Sequence, residues 1–318
     1  MTDPIITLRG LEKHFGDVRA LDGVTADIPR GAVGLLGPNG SGKTTLIKLL
    51  LGLLKPTGGE ALVAGFNPRK RADRLAVRRV VGYMPEGDCL MPGMTGVDLV
   101  ATLGRITGMS KQDAMTRAHE ALNYVELEEA RYRGLDEYST GMKQRLKLAQ
   151  ALVHDPDILL LDEPTNGLDP KGRRHMLELV HDLGHAQGKN ILLCSHLLPD
   201  VEKTCDRIVV LNRGQVAAEG AIEEMTRSDG LLLSARVEGE TERFTAALRE
   251  AGYGCESGEL GTLTIQLDGR AEDADPIFAI AARVGASVTA LAPVRSTLEQ
   301  VFLQAVNEHE QAGKTASA

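Results

Sequence analysis

The stretch Gly37 to Thr45 reads GPNGSGKTT and constrains this chain more than any other. It fits the phosphate-loop pattern G-x-x-x-x-G-K-[ST], with Gly37, Gly42, Lys43 and Thr44 in the fixed positions. The run before it, Ala32 to Leu36, is apolar and short enough for a buried strand. The run after it, Thr45 to Leu54, has no breaker until Gly52 and reads as a helix. Strand, glycine-rich turn and helix in that order commit this part of the chain to an α/β fold. The chemistry follows from the local geometry. Glycines let the backbone curl so that several N–H groups point inward at phosphate oxygens, and the helix N-terminus adds partial positive charge. Lys43 would reach the β- and γ-phosphates of a nucleotide, and the Thr44 hydroxyl would ligate Mg²⁺.

The rest of the chain alternates short apolar runs with helical patterns. Strands are expected at Ile5 to Leu8 and Val24 to Ile28, with the polar segment KHFGDVRAL between them exposing Phe15, and at Glu60 to Ala64 and Val80 to Met84. Arg69 to Arg79 holds six basic residues and one acid, Asp73. It reads as a solvated helix face, with contact to anionic lipid or a membrane partner as the sharper alternative. Helices are expected at Gly96 to Thr107, at Asp113 to Val125 with Ser110 as N-cap, and at Met142 to Val153. They make a helical subdomain of about residues 88–150. Ile158 to Leu161 is a four-residue apolar run suited to a strand buried on both faces, and Asn190 to Cys194 is a further strand. Pro170 to Gln187 is a long helix opening on proline, and Ile208 to Leu211 and Gln215 to Ala218 are further strands. The pattern is that of a largely parallel sheet with helices on both faces.

A change of character near Ser228 to Gly230 places a domain boundary at 228/229. Beyond it come strand Leu231 to Val237, helix Glu240 to Ala251, a weaker strand near Cys255 to Leu260, strand Thr262 to Leu267, helix Ala274 to Val284, strand Ser287 to Leu291 and helix Ser296 to Glu308. That order approaches a ferredoxin-like α+β domain over residues 229–310. Residues 311–318 read as a disordered tail.

Composition excludes several functions. The net charge of −8 argues against general nucleic-acid binding, and 3% aromatics without Trp leave no stacking platform for single strands. Cys89, Cys194, Cys205 and Cys255 form no C-x-x-C pair, so free thiols are expected. Met1 to Leu8 has no basic start followed by an apolar core, so no signal peptide is expected, and no apolar run approaches the ~18 residues of a membrane span.

Further residues complete the chemistry of the loop. Asp162, at the end of the strand Ile158 to Leu161, is placed to hold Mg²⁺, and Glu163 to take a proton from attacking water. His196, at the end of Asn190 to Cys194, lies where strand ends converge on a ligand and would hydrogen-bond the γ-phosphate and the water. Tyr138 to Arg145 reads YSTGMKQR. Ser139 and Gly141 at a helix N-terminus form a second anion-binding end. Lys43 already holds the near side of the phosphates, so this second end points to service in another copy.

On these residues the first ~220 positions resemble the nucleotide-binding subunit of an ABC transporter. GPNGSGKTT is similar to its Walker A loop, ILLLDEP to its Walker B strand, YSTGM to its LSGGQ signature, and NGLD ending at Asp169 to its D-loop. Ser195–His196 is similar to the switch histidine, and Phe15 stands where the family has an aromatic against adenine. The resemblance implies a P-loop NTPase of ABC type, ATP and Mg²⁺ as cofactors, and an ATPase coupled to transport. Gly37, Pro38, Asn39, Gly40, Ser41, Gly42, Lys43, Thr44 and Thr45 would hold ATP with Phe15, and Ser139, Gly141 and Asp169 would complete the site from a second subunit. It further implies two subunits packed head to tail, and an integral membrane permease that keeps the chain on the cytoplasmic face of the cell membrane.

Three positions of the signature depart from the pattern: Tyr138 for Leu, Thr140 for the first Gly and Met142 for Gln. Glu86 in YMPE replaces the usual Gln and would approach the metal or water as a carboxylate, adding negative charge beside the γ-phosphate. YSTGMKQR, NGLDP and a small terminal domain ending LEQVF most resemble the ATPases of ABC-2 type exporters. Soluble repair clamps need a long coiled coil between the two Walker motifs, and ribosome factors carry two cassettes. Importer ATPases with terminal regulatory domains often have all-β barrels there. None of these fits as well. The terminal domain strengthens dimerisation, senses a ligand, or serves packing alone.

Overall fold

The structure is a computed structural model that describes residues 3–87, 89–226, 232–257, 262–267, 275–293 and 297–315. The chain divides into two compact units, residues 1–222 with 304–318, and residues 223–303. The expected boundary at 228/229 lies outside the described residues, as do the expected element ends at Asp88, Leu231, Leu260, Ala274 and Ser296.

The first unit begins with β1 (Ile6–Phe15), β2 (Val18–Ile28), β3 (Ala32–Leu36), α1 (Lys43–Leu50), β4 (Gly58–Val63), α2 (Arg74–Val80) and β5 (Val81–Met84). The helical block follows: α3 (Gly96–Ile106), α4 (Lys111–Tyr124), two single 3₁₀ turns and α5 (Thr140–Leu152). Then come β6 (Ile158–Asp162), α6 (Pro170–His185), β7 (Asn190–Cys194), α7 (Leu198–Thr204), β8 (Arg207–Asn212), β9 (Gln215–Ala221) and α8 (Ile222–Thr226).

β1, β2 and β4 form an antiparallel sheet in the order β2-β1-β4. The segment expected to be a polar connection between two short strands is instead the tip of this hairpin: Phe15 pairs with Val18 around Gly16–Asp17. The period-two signal stops at Leu8 because Gly10 (φ 55) carries a bulge between Leu8 and Leu11, which breaks the alternation without ending the strand.

The second sheet has the order β5-β6-β7-β3-β8-β9. Every neighbouring pair in it is parallel except β8 with β9. β3, β6 and β7 are buried along their whole lengths, as continuous apolar runs in a doubly covered parallel sheet require. The register sets Leu35 and Asp162 level with Cys194, and Met84 level with Leu161. The carboxyl ends of β5, β6, β7 and β3 therefore stand side by side along one sheet edge, and the four segments that follow them meet there.

In the helical block, Thr95, Ser110 and Ser139 cap α3, α4 and α5 through their hydroxyls. Tyr138, the first residue of YSTGM, is buried. Its hydroxyl donates to Ala130 O at 2.8 Å and lies where only Gly96 leaves room. Of the basic stretch 69–79 only the last part is helical, and Val77 is its one buried residue, with Arg71, Arg78 and Arg79 exposed.

The second unit contains β10 (Leu232–Gly239), α9 (Thr241–Glu250), β11 (Gly254–Ser257), β12 (Thr262–Gln266), α10 (Asp275–Val284) and β13 (Ala286–Pro293). Its all-antiparallel sheet has the order β11-β12-β10-β13, the split β-α-β arrangement of ferredoxin-like domains. Phe244, Leu248, Leu263, Ile265 and Ile277 fill its own core.

The last helix, α11 (Leu298–Thr315), corrects the expectation of a disordered tail from 311: the helix continues to Thr315. Within the first unit Asn212 Nδ2 donates to Val306 O at 3.5 Å and His309 Nε2 donates to Gln215 Oε1 at 3.1 Å, contacts that hold the terminal turns down. Residues 316–318 lie outside the described residues.

Candidate functional site

The four sheet-edge segments enclose a cleft of about 440 Å³, lined by Phe15, Val18, Arg19 and Ala20 of the hairpin, Asn39 to Thr45, Glu86, Asp162, Glu163 and His196. Its floor is the loop after β3. Gly42 sits at φ 108 with a virtual Cβ 2.5 Å from Ala20 O, so any side chain there would strike the hairpin backbone. That close fit aims α1, which opens at Lys43, into the cleft. The Lys43 ammonium donates to Gly37 O at 2.6 Å and to Pro38 O at 3.2 Å, lying inside the curl of the loop. The Ser41 hydroxyl oxygen is buried without a hydrogen-bond partner, a cost unless an acceptor or donor from a ligand meets it. Phe15 is 48% exposed at the hairpin tip, with Lys13 Nζ 4.9 Å from its ring centroid.

Across from the loop, the end of β6 supplies Asp162, 3% exposed. Burial, with the charges of Glu86 and Glu163 beside it, pushes its carboxyl up to about 6. Glu163 takes φ 51, uncommon for a residue with a side chain. Its N–H donates to Cys194 O at 2.9 Å and its carbonyl accepts from Asn166 N at 3.1 Å, which fix the turn. The turn brings its carboxylate to His196. His196 N donates to Oε1 at 3.0 Å, and Nδ1 lies 2.8 Å from Oε2. A carboxylate oxygen accepts, so Nδ1 donates in this pair. Glu86, after β5, accepts from Asn166 Nδ2 at 3.4 Å.

Magnesium can be tested against this donor set. Thr44, Asp162 and Glu86 offer only hard oxygens, and Asp162 is raised by burial and by the charges of Glu86 and Glu163, which a cation would relieve. Among the described residues no three His, Cys, Asp or Glu side chains form a metal cage. That agrees with Mg²⁺ held by one or two carboxylates plus substrate phosphates. The residues fit the ion.

Ser139, Gly141 and Asp169 do not reach this cleft. They line a second one with Met142, Arg145 and Leu168, about 580 Å³ in volume. Ser139 Oγ accepts from Met142 N at 3.3 Å, and Asp169 Oδ1 accepts from Gly172 N at 2.8 Å as the cap of α6. The expected site residues thus fall into two groups. The phosphate loop, Phe15, Glu86, Asp162, Glu163 and His196 share one cleft, and the signature and D-loop residues share the other. Sequence reasoning missed Val18, Arg19 and Ala20, which only the hairpin's return brings to the loop, and it placed Asn166 in the D-loop without its partner Glu86, which is far off in sequence. None of the four cysteines is in a disulfide, and two of them are buried.

Phosphate loop, acidic strand end and carboxylate–histidine pair on one parallel sheet define a P-loop nucleotide hydrolase. Comparison with known proteins narrows the class. The ABC transporter family model matches residues 21–166. The chain is 33% identical over 316 residues, 99% of each chain, to the uncharacterized ABC transporter ATP-binding protein YdbJ of Bacillus subtilis. It is 33% identical over 320 residues, 99% of this chain and all of the relative, to the daunorubicin resistance ATP-binding protein DrrA3 of Streptomyces coeruleorubidus. Over 225 residues, 70% of this chain and 73% of the relative, it is 42% identical to the Nod factor export ATP-binding protein I of Burkholderia lata. Among solved structures it is similar to the dimeric post-hydrolysis state of the ATP-binding cassette MJ0796 bound to ADP and Pi. That match has a TM-score of 0.62 and 28% identity, and covers 68% of this chain and 98% of the other. The chain belongs to the ABC transporter family of ATP-binding proteins and is an ATPase. Among the described residues no helix is long and apolar enough to cross a membrane.

Proposed function

We propose that this chain powers export through a separate integral membrane permease at the cytoplasmic face of the membrane, as one half of a dimer that ATP closes. One observation supports the reading: the residues expected to hold ATP are divided between two separate clefts of the same unit. Two copies packed head to tail would set the Ser139 cleft of each against the Lys43 cleft of the other, as an isologous two-fold pair requires. The relatives named for drug resistance and Nod factor export support the outward direction, and the first of them matches along its entire length, terminal domain included.

In this mechanism the loop N–H groups and Lys43 neutralise the phosphates, and Phe15 offers its exposed ring to the base. Mg²⁺, held by Thr44 and Asp162 with Glu86 near, would neutralise charge developing on the phosphates. Glu163 accepts the proton of the attacking water, and His196 holds its carboxylate in place through two hydrogen bonds. Ser139 and the N-terminus of α5, with Asp169 beside them, close the site from the partner. Permease helices would dock on the helical block and the Glu86 loop.

The test is complementation between two inactive chains. Lys43→Ala and Ser139→Ala should each hydrolyse ATP poorly alone, because both sites of each homodimer are damaged. Mixed one to one, half the dimers carry one intact site, so turnover should recover to about a quarter of wild type. A mixture no more active than the mean of the two variants would rule out the shared site.

A further inference from the structure

The helix that opens on Ser139 carries three polar side chains, Gln144, Lys147 and Gln150, at intervals of three residues and hence along one face. Each hydrogen-bonds to a segment that follows β5 or β6. Gln144 Nε2 donates to Asn166 O at 2.9 Å. Lys147 Nζ donates to Glu86 O at 2.8 Å and to Gly87 O at 3.2 Å. Gln150 Oε1 accepts from Cys89 Sγ at 3.4 Å. Asn166 closes a ring through its own amide, donating to the Glu86 carboxylate.

Lys147 is the unusual member. It is only 3% exposed although it sits on a helix and carries an ammonium group. Burying a lysine costs free energy that an apolar residue of similar length would not, so its hydrogen bonds must compensate. Two of the acceptors are the backbone carbonyls of the residue whose carboxylate faces Asp162 and of the residue after it. The loop after β5 is exposed at Glu86 and Gly87. The register of the Glu86 side chain in the ATP cleft therefore depends on a helix whose other end lines the second cleft.

We propose that Lys147 is a positioning residue for Glu86, transmitting the position of the Ser139 helix to the carboxylate beside the Asp162 pair. A partner subunit that seats ATP on Ser139 would then set Glu86 on the same chain through α5 and Lys147, without passing through the sheet. The inference rests on the reading of Glu86 as part of the ATP site.

The experiment measures steady-state ATPase of the full-length chain for Lys147→Met, Lys147→Arg, Glu86→Ala and the double variant Glu86→Ala with Lys147→Met, each with its thermal midpoint. Misplacing a group at a phosphoryl-transfer site lowers turnover steeply, so Lys147→Met should lose about ten- to a hundredfold in kcat. KM for ATP should stay within about twofold, because the phosphate loop is untouched. Lys147→Arg keeps a donor to the two carbonyls and should recover most of the loss. In the Glu86→Ala background Lys147→Met should change kcat no further, since the group it positions is gone. Equal losses in both backgrounds, tracking the thermal midpoint, would reduce Lys147 to packing and overturn the inference. If Lys147→Met fails to fold, the Arg variant still decides: wild-type stability with kcat as low as that of Glu86→Ala is the contrary result. An unaltered kcat in Glu86→Ala alone would instead remove Glu86 from the site, and the role of Lys147 with it. A slow Glu86→Ala beside a normal Lys147→Met would overturn the inference and leave that reading standing.

Discussion

At the scale of single residues, the electrostatics of the site turn on Asp162. Its carboxyl stands at about 6 because it is buried and faces Glu86 and Glu163, against about 3.9 in an unfolded chain. Between those values the folded protein holds a proton that the unfolded chain has released. The protonated acid's contribution to stability is thus fully present below about pH 4 and is lost as pH rises through about 6. At neutral pH the ionised side chain costs the nucleotide-free protein about 1–3 kcal/mol. Asp162→Asn keeps the shape and removes the charge. It should raise the urea midpoint at pH 7.5, with the gain vanishing near pH 4, while weakening Mg²⁺-dependent nucleotide binding. A midpoint at pH 7.5 equal to or below wild type would contradict the account. The same shift makes Mg²⁺-nucleotide affinity of the wild-type chain fall as pH drops below about 6, where Asp162 gains the proton that a cation must displace.

At the scale of elements, the turn after β6 is fastened by a buried carboxylate from a different part of the chain. Asp200 on α7 is 1% exposed. It accepts from Thr165 Oγ1 at 2.5 Å and pairs with Arg173 of α6 at 2.6 Å. Three elements hang on this one side chain, and they carry Glu163, Asn166 and Asp169 between them. Asp200→Ala would leave Thr165 without its acceptor and Arg173, itself a third exposed, to rehydrate, so a loss of about 2–3 kcal/mol is expected in urea denaturation. A change under about 0.5 kcal/mol would show that the turn is held elsewhere. None of this was legible in the sequence. α7 is seven residues beginning Leu-Pro, too short for a helical period to register. Gln144 and Lys147 look like the polar face of an amphipathic helix until the loops that cover them are in place. What could be read were features that local chemistry dictates: the glycine-rich loop, the acids closing an apolar run, the serine that caps α5. Strand order could not be read, because β3 lies between β7 and β8, pairings that depend on distant segments. The hairpin tip was hidden by the bulge at Gly10, although Phe15 itself was recognised as exposed.

At the scale of the whole molecule, two hydrophobic cores are separate in composition. One gathers β1 to β8 around Leu35, Ile47, Leu160 and Leu192. The other gathers Phe244, Leu263 and Ile277. The cleft lined by Lys43 and Asp162 belongs entirely to the first unit, so a nucleotide that binds there in the folded state alone should stabilise that unit alone. Calorimetry of the full chain should therefore resolve two transitions. A non-hydrolysable ATP analogue with Mg²⁺, at a hundred times its dissociation constant, adds about 2.7 kcal/mol to the first unit. For a unit of this size that raises the corresponding midpoint by about 5–10 °C and leaves the other in place. The first turns of α11 group with the second unit and its last with the first. If it made the units cooperative, one transition would be seen and the analogue would move all of it. If instead α11 only returns the chain to the first unit, substituting Asn212→Ala and Gln215→Ala should lower the nucleotide-sensitive midpoint and spare the other, because the contacts to Val306 and His309 stabilise the first unit alone.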